Sequence, residues 1–118
     1  MIFCCKNSEN IIVSHKTVIA RSVIDRAFGL IVRKFDENLD GMIFENCNLI
    51  HSFFMFYKFD LIFVNRNGEV VKFFTDAAQN KIFYGGRDRK LIAVELPAGT
   101  IERLKITLGD ILKIEGIK

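Results

Sequence analysis

Apolar and polar positions alternate along this chain in short runs, and turn-forming residues separate the runs. Ile2 to Cys5 and Ile11 to Val18 are β-branched segments either side of Asn7-Ser8-Glu9-Asn10. The side chains of that cluster bond neighbouring backbone groups, so the pattern predicts an opening hairpin. Between Val23 and Val32 the period lengthens. Val23, Ala27, Leu30 and Ile31 share one helical face, and Ser22 with Asp25 stands as N-cap and acidic third residue, which predicts a helix.

Met42 to Phe44, Leu49 to Tyr57 and Phe59 to Val64 read as strands, the last running into Asn65-Arg66-Asn67-Gly68. Asn67-Gly68 is the strongest turn signal in the chain, and Glu69 to Thr75 should return antiparallel. Ile82 to Tyr84 and Leu91 to Leu96 add two more strands around a loop from Gly85 to Lys90. Pro97 has no amide proton for a ladder and either ends the second or lies at its edge. Thr100 is placed to cap a one-turn helix through Leu104, and Leu108-Gly109-Asp110 turns into a final strand from Ile111 to Glu115.

Short strands at this spacing, without the regular crossover helices of a parallel sheet, predict a mainly β fold. The expected form is a small antiparallel β-sandwich or partly open barrel with one or two short helices, as a single domain over residues 1–118. Composition sharpens the picture of the interior: twelve Phe and no Trp imply a core of bulky aromatic rings.

A net charge of +3, dispersed along the chain, gives no footprint for nucleic acid. Cys4, Cys5 and Cys47 are odd in number and lack a Cys-x-x-Cys spacing, so free thiols in a cytoplasm are expected, with no structural metal and no cofactor. The N-terminus has no basic stretch leading into a sustained apolar one. Lys58, Asp60, Asn65 and Arg66 break the Phe-rich middle well before a membrane-spanning length, and no membrane association is expected.

The candidate chemistry lies in the strands. Cys47, Leu49, His51, Phe53, Met55 and Tyr57 would share a face if their segment were one regular strand. Cys47 and His51 would then be ~13 Å apart by strand rise, too far for proton transfer. Asp60 and Glu95 each interrupt an apolar run, and a buried carboxylate needs partners or an altered pKa. They read either as structural salt-bridge partners or solvent-facing strand positions, or as carboxyls lining a pocket. Gly85-Gly86 with Arg87, Arg89 and Lys90 is a weak anion-binding signal, and a solvated hairpin tip explains it better.

Several segments in order resemble the domain-of-unknown-function family 192, found largely in bacteria and archaea. They are Ala20 to Leu30 (ARSVIDRAFGL), Asp40 to Phe44 (DGMIF), the run from Asn46 to Val64 with His51, Met55 and Asp60, the hairpin RNGEVV from Arg66, and Glu95 to Gly99 (ELPAG) followed by Gly109-Asp110. The chain departs from that pattern at Ile31 and at Tyr57-Lys58-Phe59, where an Arg-Phe-Pro-Ile-like stretch is typical. The resemblance implies a compact β-rich fold with a small helix, and no established activity.

Three functions are therefore expected in order. The first is a noncatalytic module binding an unidentified small molecule or protein at His51, Met55, Asp60 and Glu95. The second is a hydrolase or transferase using Asp60 or Glu95 with His51. The third is a structural or interaction protein with an exposed apolar, Phe-rich surface.

Overall fold

The computed structural model describes residues 1–20, 35–52, 57–78 and 81–115. The opening hairpin forms as expected. β1 (Ile2–Lys6) and β2 (Glu9–Ser14) pair antiparallel across Asn7 and Ser8, both at positive φ. β2 stops at Ser14, short of the expected Val18, because Asp40 holds the next residues in a turn. Its carboxylate accepts hydrogen bonds from Ser14 Oγ at 2.7 Å, His15 N–H at 3.0 Å and Lys16 N–H at 2.7 Å. These donors hold the Asp40 carboxyl below its ordinary pKa against the opposing effect of burial.

The chain resumes as β3 (Thr17–Ile19), which pairs with β4 (Gly41–Phe44). That pair is parallel, the exception to the antiparallel expectation. The connection between them includes residues 21–34, so the helix expected over Val23 to Val32 lies outside the described residues. Of the long strand expected from Leu49 to Tyr57, β5 (Leu49–His51) is described and Ser52 lies outside it, while residues 53–56 are outside the description.

β6 (Phe59–Val64) follows the sequence pattern, and all six of its residues are buried. The turn after it is organised by Asn65 as much as by Asn67-Gly68. Asn65 Oδ1 accepts from Asn67 N–H at 2.9 Å and Glu69 N–H at 3.0 Å, and Gly68 alone of the pair takes positive φ. β7 (Val70–Ala77), β8 (Ile82–Tyr84) and β9 (Ile92–Pro97) come next, then helix α1 (Thr100–Leu104) and β10 (Ile111–Ile114). Gly99, not Thr100, is the N-cap of α1, and Thr100 Oγ1 donates back to Pro97 O at 2.7 Å.

Three sheets result, in the orders β3-β4-β9-β6-β7, β10-β1-β2 and β5-β8. The five-stranded sheet is the middle layer, and its side chains alternate between two cores. Phe59, Leu61, Phe63, Met42, Phe44 and Ala93 join Ile50 and Phe83 of the two-stranded sheet in one core. Ile62, Val64, Ile43, Val94 and Leu96 join Ile2, Cys4, Val13, Leu112 and Ile101 in the other. A strand buried on both faces explains the near-continuous apolar sequence of β6.

The Phe excess goes into edge-to-face contacts. Phe74 and Phe83 have ring centroids 5.0 Å apart, Phe59 and Phe83 6.1 Å, and Phe63 and Phe74 6.4 Å. The fold is mainly β, and none of the three sheets closes into a barrel. No helix among the described residues is long and apolar enough to cross a membrane.

Candidate functional site

Glu95 lies in the middle of β9, opposite Met42 of β4 and Leu61 of β6. Both partners belong to the core that contains Phe59, Phe63 and Phe83, so the acid points into an aromatic and aliphatic layer. It is 3% exposed, and Oε2 has no hydrogen-bond partner among the described residues. Loss of water around the charged form raises the Glu95 pKa from 4.5 to about 8. Tyr57 is near enough to register this: burial first, then the Glu95 charge, push its phenol up to about 12.

Asp60 is fully buried too, but on the other side of the sheet. It stands opposite Leu96, which packs in the core with Ile62 and Ile101. Its oxygens are both engaged. Oδ2 accepts from Ile101 N–H in α1 at 2.8 Å, and Oδ1 accepts from Asp76 N–H at 3.0 Å. Asp76 has φ of 47° where the β6–β7 register shifts between Phe59 and Leu61, so Asp60 pins a bulge and the start of a helix at once.

His51 occupies a third place. It is exposed at the end of β5, opposite Ile82 of β8. Its neighbour Ser52 is buried and ties the strand to the next segment: Oγ donates to Ala78 O, and Lys81 N–H donates to Ser52 Oγ at 2.9 Å. Nothing in the apolar alternation distinguished Ser52, and only its position beside His51 marked it. Met55 lies outside the described residues. The four expected site residues therefore do not form one described constellation: Glu95, Asp60 and His51 sit on separate surfaces.

The remaining chemical signals resolve into scaffold. Cys47 is buried, its N–H donating to Leu91 O at 2.7 Å and its thiol to Leu49 O at 3.2 Å, whereas His51 faces outward. Gly85 is required by close approach, because a Cβ there would meet the Phe63 ring. A cleft of about 350 Å³ lies between Val13, Asp40, Pro97, Ala98, Gly99, Thr100 and Arg103. Its Asp40 and Thr100 oxygens are already bonded within the scaffold. Among the described residues no group of three or more His, Cys, Asp or Glu is arranged to hold a metal ion.

The chemistry thus concentrates at Glu95. A carboxyl whose pKa burial pushes up to about 8, with an oxygen unmatched among the described residues, offers either a donor or an acceptor to a group placed against it.

The profile of the family DUF192, described as Uncharacterized ACR, matches residues 5–114. No curated protein matches the chain. Among solved structures, a protein of unknown function from Novosphingobium aromaticivorans DSM 12444 superimposes with a TM-score of 0.79 at 21% identity, covering 96% of this chain and 83% of that one. A proposed transcription regulator from Sinorhizobium meliloti 1021 does so with a TM-score of 0.74 at 21% identity, covering 95% and 90%. Likeness at this identity concerns the fold alone.

Proposed function

The chain belongs to the DUF192 family, whose profile spans most of its length, and from that premise we propose a noncatalytic small-ligand-binding β domain with Glu95 as the polar anchor of its site. Oε2 of Glu95, buried in an apolar layer with no partner among the described residues, carries this reading. Such a group costs stability, and an apolar side chain of similar size would pack there at lower cost. Asp60 offers the contrast: equally buried, it bonds two backbone amides and serves the scaffold. A ligand group that completes the hydrogen bonding of Glu95 gives the buried acid a use.

At neutral pH the carboxyl is mostly protonated, offering one donor and one acceptor beside Met42, Leu61 and Ala93. That arrangement suits a neutral ligand with an amide-like donor–acceptor pair on an apolar body. The rival acid–base reading with Asp60, Glu95 and His51 needs the three in one site, and they are on separate surfaces. A cytoplasmic setting is consistent with the free thiols of Cys4, Cys5 and Cys47.

The test is a fragment set of neutral amides and lactams titrated into ¹⁵N-labelled protein. Shifts gathered at Met42, Leu61, Ala93 and Glu95 and lost in Glu95→Leu are expected. Fragments that bind Glu95→Leu equally, or that perturb only the cleft at Asp40 and Arg103, overturn the assignment.

A further inference from the structure

We infer that the outer edge of β8 is a docking strand for an extended acidic peptide segment of a partner protein. The inference is independent of Glu95 and starts from the β5–β8 register, in which Leu49 faces Tyr84, Ile50 faces Phe83 and His51 faces Ile82. Ser52 N–H donates to Lys81 O at 2.9 Å and Gly85 N–H to Asn48 O at 2.8 Å. In an antiparallel pair, hydrogen-bonded positions alternate with non-bonded ones. Lys81, Phe83 and Gly85 therefore aim their backbone groups at β5, and Ile82 and Tyr84 aim theirs away from it. No described residue bonds those outward N–H and C=O groups.

The side chains agree with the backbone. Ile82 is 60% exposed, Tyr84 46% and Leu49 47%, together forming an apolar outer face beside His51. Edge strands are ordinarily shielded by short length, flanking charge, a proline or a bulge; β8 is short, three residues with Lys81 just outside it, but within its span it carries no charge, proline or bulge. The edge is also held rigid from behind. Phe83 packs between Phe59 and Phe74, and Asn48 Nδ2 donates to Gly86 O at 2.8 Å. A rigid edge with no partner strand among the described residues lowers the ordering cost for an incoming strand.

Charge selects the occupant. Lys81 precedes β8, and exposed Arg87, Arg89 and Lys90 follow it. None of the four forms an ion pair among the described residues. Asp88 is turned into its own loop, Oδ1 accepting from Lys90 N–H at 2.9 Å. A strand laid along Ile82 to Tyr84 therefore meets positive charge at both ends, which suits an acidic segment. A second copy pairing β8 with β8 about a two-fold axis would instead bring Lys81 of each chain toward the basic loop of the other.

The experiment is fluorescence anisotropy of the full chain with a labelled eight-residue peptide of alternating Val and Glu. The expected result is saturable binding, weakened by salt, and at least roughly tenfold tighter than for the peptide with Lys in place of Glu. N-methylation of alternate peptide amides should abolish it. Ile82→Pro removes an outward N–H without touching the β5 ladder and should weaken binding by a similar factor. Arg87→Glu with Arg89→Glu, a surface pair, provides the same readout if the proline disturbs folding.

Glu95→Leu should leave peptide affinity unchanged, which separates this surface from the ligand site. Absent binding, equal affinity for the Lys peptide, or indifference to N-methylation overturns the proposal. So does a dimer in sedimentation that Ile82→Pro disrupts, since a second copy would then be the occupant.

Discussion

Asp60 and Glu95 stand on neighbouring strands one register step apart, Asp60 opposite Leu96 and Glu95 opposite Leu61, and so face opposite sides of the same sheet. Both are buried, yet their chemistry differs completely. Asp60 is saturated by the amides of Asp76 and Ile101, whereas Glu95 has an oxygen with no described partner.

Asp60→Asn turns one acceptor into a donor aimed at a backbone N–H, so one of the two hydrogen bonds is replaced by an opposed pair of donors. The expected loss is about 2 to 4 kcal/mol, read from urea unfolding. A change below about 0.5 kcal/mol would show that Asp60 does not hold the bulge and the helix together.

Gly68 has φ of 81°, and an added Cβ would run into the backbone oxygen of Leu112, the residue whose N–H donates to Gly68 O at 2.8 Å. Gly68→Val should cost about 2 kcal/mol or more, through both backbone strain and disturbed contact with β10. Melting temperatures that coincide for variant and parent would contradict this.

The three thiols should separate by reactivity. Cys4 is buried, and desolvation followed by the Asp110 charge pushes its pKa up to about 11, while Cys47 is buried in the aromatic core and Cys5 is partly exposed. A disulfide reagent at pH 8 should therefore modify Cys5 first in the folded protein and all three residues in denaturant. Equal rates at all three in the folded protein would be at odds with the packing.

Local chemistry made most of the fold legible before the structure. β6 and β8 have the bounds read from alternation, the Asn7-Ser8 turn is where polar residues cluster, and the aromatic core follows from the Phe count. The failures share a physical cause, which is contact between residues distant in sequence. Asp40 ends β2 through bonds spanning more than twenty residues, and β5 ends at His51, where Ser52 Oγ bonds Ala78 O and Lys81 N–H in place of a continued ladder. The acids were legible as exceptions to apolar strands. Their separation onto opposite faces was not, because it depends on the pairing of β6 with β9.

The stability of parent and Glu95→Gln across pH tests the account most directly. In the unfolded chain Glu95 titrates near 4.5, and in the folded chain near 8. Between those values the unfolded state releases the proton and the folded state keeps it, so the parent loses stability as pH rises through the window and levels off above about 8. Gln has no such proton. Glu95→Gln should gain on the parent by roughly 2 to 4 kcal/mol between pH 4.5 and pH 8.5, with the curves parallel beyond. Curves parallel throughout, or a parent that gains on the variant as pH rises, would mean that the carboxyl is ionised and satisfied in the fold and has nothing left to offer a ligand.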